Sequence, residues 1–261
     1  MAVEVVHFNP MRRPRGLLGR LRPRRPLNNF GDLIGPMLVN RVVEQNGLVQ
    51  PAEHRRLLAV GSIMRMSEPG DVIWGSGVNG KTMGTGGAPD LDVRAVRGPR
   101  TRALLQALGT DVPEVYGDPA LLWPRFWPKE HYLKDELPTT SRPVTIIPNY
   151  NDMAKFDDDR VISPLGSPHE VIREIVRSEF VCATSLHGIV LAEAYGIPAR
   201  LIRSEAEPPF KYDDYYAGTG RPEYRSAATV EEAVSMGGEA PLDFDAERLL
   251  QAFPSDVYDA R

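Results

Sequence analysis

The stretch Phe180-Val-Cys-Ala-Thr-Ser-Leu-His-Gly-Ile-Val-Leu-Ala-Glu-Ala-Tyr-Gly-Ile-Pro-Ala-Arg-Leu-Ile202 constrains the fold more than any other. It opens with an apolar run, Phe180 to Ala183, short enough for a buried strand. Thr184 and Ser185 can each cap a helix, and the segment from Leu186 to Tyr195 is almost wholly apolar. Gly196 stops that helix, Pro198 confirms the stop, and Ala199 to Ile202 begins another strand. Strand, tight turn, buried helix and strand make a βαβ unit, which implies the α/β class. His187 falls in the first turn of the helix, just past the carboxyl end of the strand. Open α/β sheets bind ligands at that edge, and the free N–H groups of the helix start attract anions. A histidine there either caps and packs or serves as a catalyst, and its position favours catalysis.

Composition sets the outer bounds. With 261 residues, 42% hydrophobic and 25% charged, the chain can form one large or two medium domains. A net charge of −4 implies no general affinity for nucleic acid. The single cysteine, Cys182, lies inside the apolar strand, so no disulfide forms within the chain and a reducing compartment is expected. No apolar run approaches the ~20 residues of a membrane span, and the start lacks a signal-peptide core. A soluble, cytoplasmic protein is the expectation.

In the first half, Val3 to Phe8 reads as a strand. It is followed by Arg12, Arg13, Arg15, Arg20, Arg22, Arg24 and Arg25, with Leu17, Leu18 and Leu21 among them and prolines that prevent a long helix. Two readings stand side by side: a solvated loop, or a peripheral contact with an anionic inner membrane surface worth roughly 1 kcal/mol per basic residue. A helix then runs from about Asn29 to Gln45, where Asn29 and Asp32 are either caps or groups facing a substrate hydroxyl. Leu57 to Val60 and Asp71 to Trp74 are short apolar runs that end in small residues, as parallel strands do beside a ligand site. Gly75 to Thr82 matches the phosphate-loop pattern letter by letter, but the glycine- and proline-rich continuation cannot form the helix that pattern needs. Asp92 to Arg97 alternates as a strand, and Gly98-Pro99 starts a helix. Arg97 therefore sits at a strand end where a guanidinium can grip phosphate or carboxylate, with Arg94, Arg100 and Arg102 as competitors. Asp118, after Val115-Tyr-Gly, is either an acid at a strand end or a turn residue.

Trp123 to Pro143 is proline-rich and without periodicity, which reads as a linker between two α/β halves, residues 1–140 and 141–261. The second half restarts with strands at Val144 to Ile147 and Arg160 to Ile162, then a capping box at Ser167-Pro-His-Glu170. Pro209-Phe-Lys-Tyr-Asp-Asp-Tyr-Tyr216 reads as a loop suited to sugar, or as an ordinary surface loop. Thr229 caps one further helix, and Asp245 to Phe253 forms a last one, expected to fold back on the first half.

Asn29-x-Gly31-Asp32, Val96-Arg97-Gly-Pro-x-Thr101, Gly117-Asp-Pro-Ala120, Ser185-Leu-His-Gly188 and Glu193-Ala-Tyr-Gly-Ile-Pro198 resemble, in order and spacing, the polysaccharide pyruvyl transferase family. With Val72 to Gly80, Leu91 to Arg97 and Phe210 to Tyr216, the likeness is greatest to the xanthan-type ketal pyruvate transferases and spans roughly Asn29 to Arg221. The resemblance implies two Rossmann-like domains in a GT-B-like arrangement with a cleft between them, the first on the acceptor side and the second on the donor side. It implies transfer of enolpyruvate from phosphoenolpyruvate to a sugar acceptor, lipid-linked or free, with no further cofactor and no metal. His187 matches the catalytic histidine and Arg97 the donor-binding arginine. Some members carry an arginine where Ser185 stands, so the phosphate would turn to Arg94 or to helix-end amides. Asp32 or Asp118 would accept the hydroxyl proton, and Asn29, Asn79, Ser185, Leu186, Gly188, Lys211 and Tyr212 would bind substrate. A nucleotide-sugar glycosyltransferase, which shares the architecture, is the rival reading.

Overall fold

The short apolar runs have become parallel strands, because none is long enough to be a helix. A computed structural model describes residues 3–13, 23–81, 90–134 and 141–260. In chain order the strands are β1 (Val3–Val6), β2 (Met11–Arg12), β3 (Arg25–Pro26), β4 (Leu48–Val49), β5 (Arg55–Leu58), β6 (Val72–Trp74), β7 (Asp92–Ala95), β8 (Thr145–Ile147), β9 (Val181–Ala183), β10 (Ala199–Leu201) and β11 (Asp259–Ala260). The helices are α1 (Phe30–Gln45), α2 (Pro99–Ala107), α3 (Trp123–Phe126), α4 (Lys129–Leu133), α5 (Pro168–Val176), α6 (Leu186–Ala194), α7 (Phe210–Gly218), α8 (Val230–Met236) and α9 (Ala246–Gln251).

The protein is a mixed α/β structure with two parallel sheets. One has the order β1-β5-β6-β7 and the other the order β10-β9-β8. Two antiparallel pairs are added at the margins, β2 with β3 and β4 with β11. The second of these ties the end of the chain to its first half, pairing Asp259 with Val49. The βαβ unit around Cys182 folds as its sequence demands: β9 and β10 pair in parallel, and α6 between them buries Ile189, Val190 and Leu191 completely. The apolar core runs through both sheets and includes Phe30, Trp74, Trp123, Ile147, Ile189 and Tyr216.

Three stretches differ from their sequence reading. Trp123 to Leu133, expected as part of a structureless linker, forms α3 and α4, with Trp123 fully buried and its indole N–H donating to Tyr132 Oη at 2.9 Å. The rest of that stretch, residues 135–140, lies outside the described residues. Arg160 to Ile162 forms a single bridge, Val161 with Ile146, where a full strand was expected. Phe210 to Gly218 is a buried helix where a loop was expected, with Tyr212, Tyr215 and Tyr216 in the core. The segment 14–22, which carries Leu17, Leu18, Leu21 and three of the arginines, also lies outside the described residues. Among the described residues, no helix is long and apolar enough to cross a membrane.

Candidate active site

Two helix starts face one cleft. Ser185 caps α6, its Oγ accepting the Gly188 N–H at 3.4 Å, and Asn29 caps α1, its Oδ1 accepting the Gly31 N–H at 3.4 Å. Both ends leave unpaired N–H groups and the positive end of a helix dipole at the same opening. The cleft holds about 350 Å³, and Asn29, Asp32, Asn79, Ser185, Leu186, His187 and Lys211 all line it. It opens at the carboxyl ends of the parallel strands, the edge at which α/β sheets take ligands.

His187 is wedged between Gly31 of α1 and Asp118. A Cβ placed on Gly31 would lie 2.3 Å from its Nδ1, so only glycine lets α1 approach the imidazole this closely. On the other side Nε2 lies 3.7 Å from Asp118 Oδ2. Both of those atoms are buried, and neither has a hydrogen-bond partner. Asp118 Oδ1 is already engaged by the Ala120 N–H at 3.0 Å, so the remaining oxygen has only the imidazole to answer. The His187 side chain is 12% exposed while that of Asp118 is wholly buried. Asp118 therefore stands behind the histidine, away from the cleft, and can fix which ring nitrogen carries a proton.

Asp32 is the carboxylate that reaches the cleft. Burial pushes its carboxyl up to about 6, against the pull of His187 and Lys211, which favour the charged form. A carboxyl poised there is ionised at neutral pH and still basic enough to take a proton. Asn29 is both a cap and a lining residue, and Asn79 lines the cleft while its Oδ1 accepts the Lys81 N–H at 2.8 Å. Lys211, on α7, is nearly buried and its ammonium sits 3.0 Å from Glu207 Oε2. Burial lowers the Lys211 pKa, and the Glu207 carboxylate opposes that effect.

Four expected binding residues are placed otherwise. Arg97 is wholly buried and absent from the lining: its guanidinium meets Asp214 Oδ2 at 3.0 Å and donates to Val78 O at 2.6 Å and Ser62 Oγ at 2.6 Å. Asp214 also accepts from the Thr101 N–H and hydroxyl, at 2.9 and 2.6 Å. Arg94 is held by Asp92 and Asp256, at 2.5 and 2.7 Å. Those two acids line a different opening of about 610 Å³ at the amino-terminal edge of the sheet, where Glu53, Asp90 and Asp259 make the wall hostile to an anion. Gly188 is packed too tightly to serve a ligand, since a Cβ there would fall 2.9 Å from the Ile147 side chain, and its N–H already serves Ser185. Tyr212 points into the core and donates its hydroxyl to Thr184 O at 2.7 Å.

The sequence reading missed Ser62, Arg65, Tyr150 and Glu207, all of which line the cleft. Ser62, Tyr150 and Glu207 sit on irregular turns and Arg65 on a single 3₁₀ turn, Met64–Met66, none with a periodic pattern to mark it. Glu207 joins both lysines: its carboxylate receives Lys81 at 2.5 Å and Lys211 at 3.0 Å. Burial would raise its pKa, but the two ammonium groups prevail and hold it below the usual carboxylate value. Among the described residues no group of three or more His, Cys, Asp or Glu is placed to hold a metal ion.

Residues 88–205 match the family model described as polysaccharide pyruvyl transferase. Over that stretch, a little under half of its length, the chain is similar to the polysaccharide pyruvyl transferases. The chain is also similar to the succinoglycan biosynthesis protein ExoV of Rhizobium meliloti, with 30% identity over 187 residues, 65% of this chain and 57% of that protein. This chain thus spans little more than half the length of that relative. It is also similar to an uncharacterized protein of Acanthamoeba polyphaga mimivirus, with 25% identity over 223 residues, 77% of this chain and 75% of the other. An uncharacterized protein of Klebsiella pneumoniae covers 77% of this chain, and 89% of itself, at a TM-score of 0.48 and 12% identity. The family match contains Arg97, Asp118 and His187 and stops short of Lys211.

Proposed function

We propose that this pyruvyl transferase relative moves enolpyruvate from phosphoenolpyruvate to a sugar of an oligosaccharide or polysaccharide precursor, closing a pyruvate ketal and releasing phosphate. The observation that carries the reading is the meeting of His187 and Asp32 in one cleft at two helix starts. The family match supports it independently. In this reading the two parallel sheets are Rossmann-like lobes in a GT-B-like arrangement, divided near residue 140, and the cleft lies between them.

Phosphoenolpyruvate carries a phosphate and a carboxylate, and helix N-termini with nearby cations suit both. His187, charged, gives a proton to the methylene carbon, which becomes the methyl group. The adjacent carbon gains oxocarbenium character and a sugar hydroxyl attacks it, passing its proton to Asp32. The carbon–oxygen bond to phosphate then breaks, a second hydroxyl of the sugar closes the ketal, and its proton leaves with the phosphate. Asp32 returns its proton to His187, so the site is reset with no net proton gained or lost. With Asp118 facing Nε2, the nitrogen turned toward Gly31 at the start of α1 is Nδ1. Proton delivery of this kind contributes about 10²–10⁴ in rate. Arg12 and Arg13 on one side and Arg24 and Arg25 on the other flank the segment 14–22, and they would rest on an anionic inner membrane face, where a lipid-linked acceptor could reach the cleft.

The test is incubation of the protein with phosphoenolpyruvate and a panel of oligosaccharides, reading both phosphate release and mass gain of the acceptor. His187→Ala should lose about 10²–10⁴ of the rate while remaining folded. Unchanged turnover in that variant removes His187 from the chemistry, and sugar transfer from a nucleotide sugar in place of ketal formation would replace the reading altogether.

A further inference from the structure

We propose that Ser62 and Arg65, on the turn that follows β5, form the oxyanion subsite of the cleft, and that the buried Arg97 acts through Ser62 as a positioning residue. The proposal rests on the phosphoenolpyruvate reading and deepens it, by assigning the donor's phosphate to the first sheet.

The geometry begins with Arg97. Its charge is largely answered by Asp214, yet Nη1 extends past that pair and donates to Ser62 Oγ at 2.6 Å. The guanidinium cannot swing away, because Gly77 lies flat against it: a Cβ there would fall 2.4 Å from Cζ. A hydroxyl that accepts a bond from a cation must send its own O–H elsewhere. Ser62 lines the cleft, and among the described residues nothing accepts that proton. The result is a fixed donor, polarised from behind, at the wall of an anion site.

Arg65 stands three residues further on and lines the same cleft. Its guanidinium lies over the ring of Phe8, 4.9 Å from the centroid, and among the described residues no carboxylate pairs with it. Stacking of this kind fixes the plane of the group and leaves its N–H edge available for two parallel bonds to an oxyanion. Arg12 also lines the cleft, its guanidinium 5.8 Å from the centroid of the Tyr150 ring, while the two lysines there are already engaged. Lys81 and Lys211 share the carboxylate of Glu207. A guanidinium edge beside a polarised hydroxyl suits the tetrahedral oxygens of phosphate.

The experiment is calorimetric titration of the full chain with phosphoenolpyruvate and, separately, with inorganic phosphate. Arg65→Ala should weaken both ligands by about 10- to 100-fold, the effect of losing a charge-assisted pair, and Ser62→Ala by about 5- to 20-fold. Ser62→Thr, which keeps the hydroxyl that Arg97 holds, should restore the affinity. A simple packing role at position 62 would not produce that rescue. Wild-type affinity in Arg65→Ala and in Ser62→Ala overturns the subsite. If phosphate binds through these residues but the enolpyruvyl group adds no affinity, the subsite stands and the donor reading fails. If the wild type binds neither ligand, both fall.

Discussion

Asp32 costs the fold stability at the pH where the proposed chemistry needs it. Its carboxyl is raised from 3.8 to about 6, chiefly by burial. The folded protein therefore keeps that proton longer than the unfolded chain does. The stability attached to it is complete below about pH 4 and is lost as pH rises through 6, a difference of up to about 3 kcal/mol. Asp32→Asn removes the penalty. It should melt higher than the wild type at pH 7.5, with the gap closing toward pH 4, and it should lose turnover. Thermal melts at the two pH values check this, and a gap that does not vary with pH would show that the carboxylate is not desolvated. Asp118, by contrast, has no route to the cleft, and its unpartnered oxygen faces the imidazole. The two acids that the sequence offered as equivalent bases are separated by structure: Asp32 lines the cleft, and Asp118 lies beside the imidazole and outside the lining.

At the scale of elements, the proposed chemistry requires the close approach of α1 to His187. Alanine favours a helix over glycine by up to about 1 kcal/mol, which offsets part of the roughly 1–3 kcal/mol that the overlap with the imidazole costs, so Gly31→Ala should still fold. It should impair catalysis, because the new methyl group falls on Nδ1. A variant that melts within a few degrees of the wild type and turns over at least 10-fold more slowly is the expected outcome; full activity would mean that the imidazole has room to retreat. The contact between α2 and α7 carries a different risk. Asp214, on α7, binds Arg97, the Thr101 N–H and the Thr101 hydroxyl, all out of water. Asp214→Ala leaves a guanidinium buried and unpaired, and denaturant titration should show a loss of about 3–5 kcal/mol. A loss below 1 kcal/mol would mean that water reaches the pair. This network also explains why α7 was illegible in sequence. Its Lys211, Asp213 and Asp214 look like solvated loop residues, and the partners that permit the burial of Asp214 lie far away in the chain, at Thr101 and Arg97. The βαβ unit around Cys182 was legible for the opposite reason, since its apolar run, cap and stop are all local.

In the whole molecule, one core joins the two sheets, from Phe30 and Trp74 through Trp123 to Ile189 and Tyr216. The end of the chain adds to that union, with Trp74 Nε1 donating to Leu249 O at 2.9 Å and β11 pairing with β4. Scanning calorimetry should therefore show a single transition whose calorimetric and van't Hoff enthalpies agree, and two resolved transitions would show that the halves melt independently. The sequence signalled the two groups of parallel strands and the histidine edge. It did not signal that Trp123, in a proline-rich stretch, belongs to the shared core, because an isolated aromatic carries no period. The same union brings Asp32 from α1 and His187 from α6 to a single cleft, and the account's central claim is that the two act on one substrate. The direct measurement is ketal formation by His187→Ala, Asp32→Asn and the double variant. Groups that act as a unit give a double variant scarcely slower than the worse single one, which is the result predicted here. Losses that multiply, or a single variant with wild-type rate, would contradict a shared site.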